Sequence, residues 1–373
     1  MFDRATIIDK AFTEKVRTGA LPAALTGTTL AEAGLSGDDL VALFETQVLS
    51  RQLDLMARRS KGKTFYSIGS SGHEGMAALA RAARVSDMAF LHYRDGAFLI
   101  ERRKKMPGAT PVWDMCLSFA ASAEDPVSGG RHKVLGGKDI FVPPQTSTIA
   151  SHLPKAVGAA HSIALSRKLA DVETVLPTDA VILCSFGDAS ANHSTAQGAF
   201  NAAAWTAYQN LPMPIVFVCE DNDIGISVRT PKGWIEATYQ NRPGLTYMAC
   251  DGRDAVDAMR GARAGREALE LGVLEEGFCF PVRPSALRAS CSFFPVRPSA
   301  VLASCFLFPG RSPCSLRAGF FCFPVALSAL LASCFSIGGS RSSRSIGRLF
   351  SVPVTPEPAP DLDPGAFRAS CAS

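Results

Sequence analysis

Histidine is scarce in this 373-residue chain: there are six, and none follows His193. None of the six (His73, His92, His132, His152, His161, His193) lies beside cysteines at metal-ligand spacing, so none belongs to a His/Cys metal cluster. None supplies a Ser/His/Asp arrangement for nucleophilic hydrolysis either. A strong charge excess is also missing, with 38 basic against 34 acidic residues and a net charge of +4. That small excess sits in the tail from Gly277, which has nine Arg, no Lys and three acids, and the preceding residues carry −2. Nothing in this balance points to nucleic acid as a partner. Before the tail only Cys116, Cys184, Cys219 and Cys250 occur, scattered, and Cys184 and Cys219 fall in apolar runs and read as small core residues. The opening MFDRATIIDKAFTEKVRTG is charged throughout and resembles no cleavable signal, so a reduced, cytoplasmic setting is expected. A hydrophobic content of 47% is enough for a sizeable core.

Two apolar, β-branched runs end abruptly in oxygen-bearing side chains 34 positions apart. VILCSFGDAS (181–190) stops at Asp188, and PIVFVCEDNDIGIS (214–227) stops at Asn222. The Ala-rich stretch 194–210 between them is long enough for a crossover helix. Strand, helix and strand make a βαβ unit, whose right-handed crossover puts both strand C-termini on one edge of a parallel sheet. Ligands of open α/β sheets bind at that edge. Two oxygen ligands beside a helix N-terminus suit Mg²⁺ carrying a diphosphate, although an ordinary βαβ unit with an Asp cap would look the same.

Two further segments, and the order in which all four occur, resolve that ambiguity. Gly187-Asp188-Ala189-Ser190-Ala191-Asn192 and Glu220-Asp221-Asn222-Asp223-Ile224-Gly225 resemble the two halves of the thiamine-diphosphate motif. His92-Tyr93-Arg94-Asp95, upstream, resembles the Tyr-Arg pair of the α subunits of 2-oxo acid dehydrogenase E1 components. Gln145 to Gly158 resembles their Ser-rich loop and following helix, and all four segments come in family order over roughly residues 40–260. The wording GRHKVLGGKDIFVPPQTST is most similar to the branched-chain type, sometimes built as one fused α and β chain.

The resemblance implies an α/β fold, a doubly wound parallel sheet flanked by helices. It implies thiamine diphosphate and Mg²⁺ as cofactors. The metal would be held by Asp188, Asn222 and the backbone carbonyl of Ile224. The coenzyme would be held by Tyr93, Arg94, Ser147, Ile149, Gly187, Asp188, Ala189, Ser190 and Asn222, with Ser147 and Ile149 on the aminopyrimidine side. The implied reaction is oxidative decarboxylation of a 2-oxo acid, 2-oxoisovalerate favoured, with acyl transfer to lipoamide. Its partners would be an E1 β subunit or β half and a lipoyl-bearing E2 acyltransferase. The glutamate that activates the aminopyrimidine lies on the β part in this family, so the chain alone is expected to be inactive and no catalytic residue is assigned. Pyruvate or acetoin as substrate, and a non-catalytic fragment binding only cofactor or a β partner, are the alternatives. Ala189 departs from the family glycine, and its methyl matters little if φ stays negative. Among the histidines, His73 reads as a cap or packing residue and His92 as a neighbour of the cofactor or of nothing in particular. His132 reads as a loop residue, His152 and His161 as part of the helix after the Ser-rich loop, and His193 as a phosphate neighbour or a solvated helix start.

Residues 1–40 read as a helical lead, 41–275 as the diphosphate-side domain, and 277–373 as a low-complexity tail. In the tail FPVRPSALRASC (280–291) recurs as FPVRPSAVLASC (294–305). Its proline spacing forbids a long helix. The tail reads as an out-of-frame or mis-assigned translation that replaces the family's histidine-bearing loop. A solenoid, or a membrane span over the uncharged residues 318–340, is the alternative, and membrane attachment is not expected.

Overall fold

The computed structural model describes residues 4–21, 27–60, 62, 69–131, 133–169, 173–226, 228–270 and 277–284. His132, the tail from residue 285 and the alternative span 318–340 lie outside the described residues. In chain order the helical lead is α1 (Arg4–Thr18) and α2 (Leu30–Ala33), followed by the long α3 (Gly37–Arg59). The sequence reads as helix from 30 to 59, but Gly34 takes a left-handed conformation (φ 62°) that ends α2. Ser36 then opens α3 with a reciprocal capping box to Asp39.

There follow α4 (Met76–Ala82), β1 (Ala89–Phe90), α5 (Gly96–Arg103), α6 (Pro111–Phe119), β2 (Leu135–Gly137), β3 (Val142–Gln145) and α7 (Leu153–Ser166). The predicted βαβ unit is present as β4 (Ile182–Gly187), a 3₁₀ turn at Asp188–Asn192, α8 (Ser194–Tyr208) and β5 (Ile215–Glu220). The described chain closes with α9 (Trp234–Tyr239), β6 (Leu245–Tyr247), β7 (Cys250–Gly252), α10 (Ala255–Glu270) and β8 (Gly277–Pro284).

Among the described residues β1, β4, β5, β8 and β6 lie side by side in that order, all parallel, with β7 also pairing β8. Both faces are covered. Val181, Leu183, Val216 and Val218 pack toward α3, α4, α5 and α10, whereas Ile182, Cys184, Phe186, Ile215, Phe217 and Cys219 pack toward α7, α8 and α9. Two-sided burial is why these strands read as continuous apolar runs rather than alternating ones. It also makes the sheet doubly wound, as the sequence resemblance implies. Asp87 fastens the edge: its carboxylate accepts from Val181 N, from Arg84 and from Arg266 on α10.

One boundary differs from the sequence expectation. The low-complexity tail was expected from Gly277, but its first eight residues form β8, inside the sheet between β5 and β6. A strand of that length, paired on both edges, needs neither helical spacing nor strict alternation, so the pattern that argued against regular structure did not exclude it. Pro281, opposite Cys219, gives this ladder no N–H. No helix among the described residues is long and apolar enough to cross a membrane.

Candidate active site

The site forms where β4 and β5 end. Gly187 and Glu220 close the paired register, and beyond them follow the 3₁₀ turn and the loop 221–226. A cavity of about 660 Å³ opens at this edge, within the range of small-molecule and cofactor pockets. Asp188 lies at its floor, 2% exposed. One carboxylate oxygen accepts from Ala189 N at 2.8 Å, and the other is buried with no hydrogen-bond partner among the described residues. Burial raises the Asp188 carboxyl above the usual range, although the Ala189 N–H and the nearby Thr230 hydroxyl pull it back. A buried acceptor without a donor is costly unless something positive meets it.

From the neighbouring strand end Asn222 faces the same cavity, its amide oxygen accepting from Ile224 N at 3.2 Å. Arg94 and Tyr93 also line the cavity, the guanidinium lying over the tyrosine ring at 4.9 Å. Arg94 Nη1 donates to the Gly69 carbonyl at 2.7 Å, which holds the fork in place.

Below Arg94 lies a buried polar cluster. Strand alternation puts Ser185 of β4 and Glu220 of β5 on the sheet face that carries α3 to α5. The segment leaving β1 meets them there: His92 N donates to Ser185 Oγ at 2.8 Å, and Ser185 Oγ donates in turn to Asp95. His73 Nδ1 is hydrogen-bonded to Glu220, and His92 Nδ1 lies 3.2 Å from the other Glu220 oxygen. Burial alone would raise the Glu220 carboxyl, but the two imidazoles outweigh it and hold it below the usual carboxylate value. Asp95 is pushed well above its usual value by burial and by the Glu220 charge. Burial holds His92 below the usual imidazole value in spite of Glu220. On the far side of the sheet His152 Nε2 donates to the Ser185 carbonyl at 2.6 Å, and burial lowers its pKa to about 4.

A family model described as "Dehydrogenase E1 component" matches residues 45–273, more than half of the chain. The chain belongs to this family. Among curated proteins it is similar to the 2-oxoisovalerate dehydrogenase subunit alpha of Bacillus subtilis (strain 168), 27% identical over 248 residues, 64% of this chain and 69% of that one. It is also similar to the mitochondrial 2-oxoisovalerate dehydrogenase subunit alpha of Mus musculus, 24% identical over 239 residues and covering 62% of this chain and 49% of that one. The subunit alpha 2 of Arabidopsis thaliana is 26% identical over 215 residues, 57% of this chain and 41% of that one. The chain thus spans half or less of these two mitochondrial relatives.

In this E1 component Tyr93, Arg94, Ile149, Gly187, Asp188, Ala189, Ser190, Asn222 and Ile224 line one cavity. Ser147 does not. It is exposed on the loop after β3, where Thr148 and Ser151 bond to each other at 2.6 Å, and α7 starts at His152 without a side-chain cap. Ala189 sits in the 3₁₀ turn outside the left-handed region, so its methyl is tolerated, and it points at Gly225. His193 caps α8 by accepting from Thr195 N and also lines the cavity.

Sequence reasoning passed over the buried cluster. His73 is no cap but a buried residue packed on His92 and hydrogen-bonded to Glu220, 147 positions away, while Glu220, Asp95 and Ser185 carried no role. A carboxylate closing an apolar strand, as Glu220 does, was the available signal. Its partners were not readable because they come from other elements.

The donor set at the strand ends fits a hard cation bearing a diphosphate. It combines an unpartnered buried carboxylate at the 3₁₀ turn leading into α8 with an amide oxygen and the Ile224 backbone from the loop after β5, and Arg94 lines the same cavity.

Proposed function

We propose that this chain is the α part of a thiamine-diphosphate-dependent E1 component acting on a branched-chain 2-oxo acid such as 2-oxoisovalerate, with acyl transfer to a lipoyl group on an E2 partner. The observation that carries the reading is Asp188, whose second carboxylate oxygen is buried without a partner beside Asn222 at the next strand end. The naming of the curated relatives supports the branched-chain preference.

When bound, thiamine diphosphate supplies the electron sink that lets the 2-oxo acid lose CO₂. The chain's own residues bind and orient it. Asp188, Asn222 and the Ile224 carbonyl hold Mg²⁺, and Arg94 presents a planar fork of donors to phosphate oxygens. Tyr93 sits under that guanidinium and limits its freedom. Ile149 offers apolar surface where the Ser-rich loop meets the cavity. A β subunit or β half completes the site. The apolar Ile224, Ile226 and Val228 stand exposed at the cavity mouth and support that assignment.

Asp188→Ala tests the reading. Calorimetry of the full chain with Mg²⁺ and thiamine diphosphate should show binding for the parent and none for the variant. Unchanged binding by the variant would reject Asp188 as a ligand.

A further inference from the structure

The described residues hold one group of His, Asp and Glu side chains able to converge on a metal ion: His73, His92, Asp95 and Glu220. Their candidate ligand atoms all lie within 4.8 Å of one another. All four residues are buried, Asp95 and Glu220 almost completely. They come from four places in the fold, namely the turn before α4, the loop after β1, the start of α5 and the end of β5. Three of them bring a buried polar atom with no hydrogen-bond partner: His92 Nδ1, Asp95 Oδ1 and Glu220 Oε1. Two of these atoms, His92 Nδ1 and Glu220 Oε1, face each other at 3.2 Å without a well-formed hydrogen bond, and Asp95 Oδ1 has none, so hydrogen bonds inside the cluster leave it incompletely satisfied at the depth where that is most costly.

We propose that His73, His92, Asp95 and Glu220 form a second metal site, for Zn²⁺ or a similar d-block divalent ion, on the α3–α5 side of the cavity floor. Two imidazole nitrogens and two carboxylate oxygens make an N₂O₂ set, which selects such ions over Mg²⁺, an ion that prefers oxygen and retained water. Two carboxylates with two neutral imidazoles balance a dication. A tetrahedral ion with bonds near 2.1 Å spaces its ligand atoms about 3.4 Å apart. The four atoms reach that spacing if His73 and Glu220 part by more than an ångström and the widest pair, within 4.8 Å, closes by up to about 1.4 Å. The supporting bonds are already built, since Ser185 donates to Asp95 and accepts from His92 N. The proposal does not depend on the diphosphate reading, because none of its ligands is Asp188, Asn222 or Ile224.

The test uses the full chain without thiamine diphosphate and the metal alone. Zn²⁺ should bind in calorimetry at one equivalent. Co²⁺ in its place should give the intense visible absorption of a four-coordinate site, without the sulfur-to-cobalt charge-transfer band that any of the eleven cysteines would produce. Asp188→Ala should keep that absorption, whereas His73→Asn/His92→Asn should lose it. If the double variant does not fold, proton NMR of the parent Co²⁺ form decides instead, through paramagnetically shifted imidazole N–H signals from two histidines. No visible band in the parent, a thiolate charge-transfer band, no shifted imidazole signals, or a band retained by a folded double variant would each overturn the site and leave the cluster as hydrogen bonding only.

Discussion

Ala189 stands where the resembled family has glycine, and the compensation lies directly against its methyl, at Gly225. A β-carbon on Gly225 would come within 2.9 Å of the Ala189 methyl and 3.3 Å of the Val228 carbonyl. The backbone at 225 is not left-handed, so a substitution there meets crowding rather than conformational strain. Gly225→Ala should therefore destabilise the domain by about 1–3 kcal/mol, the usual cost of overpacking, read from the denaturant midpoint. In the Ala189→Gly background the same change should cost clearly less, since only the Val228 contact remains. Equal costs in both backgrounds would show that the two positions do not face each other. At this scale the sequence is informative about which residues carry oxygen and poor on which atoms are satisfied. Asp188 and Asn222 announce themselves by ending apolar runs. The orphaned oxygen of Asp188 and the pairing of His73 with Glu220 exist only once distant segments are brought together.

The βαβ unit is the most legible element because its three parts have different composition over short, adjacent spans: β-branched strand, alanine-rich helix, β-branched strand. The two-residue β1 and the three-residue β6 and β7 are too short to show any period, and only their pairing defines them. β8 was misread because its eight residues share the repeat wording of the tail that follows. The start of α7 was open to a hydroxyl cap, yet the N-terminal position belongs to His152, whose ring instead ties α7 to β4 through the Ser185 carbonyl. That tie has a pH consequence. The His152 pKa falls from 6.5 to about 4 in the folded state, chiefly by burial, so the unfolded chain binds the extra proton first as pH drops. Stability tied to the neutral ring is complete above about pH 6.5, declines as pH falls below it, and is fully lost below about pH 4. The full effect is on the order of 3 kcal/mol. His152→Gln keeps an N–H donor without a titrating ring, so the difference in unfolding midpoint between parent and variant should move in the variant's favour from pH 7 to pH 4.5. A constant difference would mean that the ring charges in the folded protein without penalty.

At the scale of the whole molecule the described chain supplies one wall of a reaction chamber. Its cavity gathers the oxygen groups of Asp188 and Asn222, a guanidinium and a buried histidine–carboxylate cluster at one edge of the sheet, and its lining includes Ile226, Val228 and Ile149 of the Ser-rich loop. Ile226 and Val228 are 73% and 64% exposed, a large apolar cost to leave in water at the mouth of a functional cavity. Ser147, assigned to the aminopyrimidine side by resemblance, is exposed and outside the cavity lining. An open chamber lets water reach the reacting centre, and decarboxylation chemistry depends on its exclusion. Binding and turnover should therefore separate. The isolated chain should take up thiamine diphosphate with Mg²⁺ yet release no CO₂ from 2-oxoisovalerate, and turnover should appear when a β subunit of a branched-chain E1 is added. Turnover by the isolated chain would show that it carries a complete catalytic apparatus. Binding that stays productive only with pyruvate after the β subunit is added would move the substrate assignment while leaving the cofactor site intact.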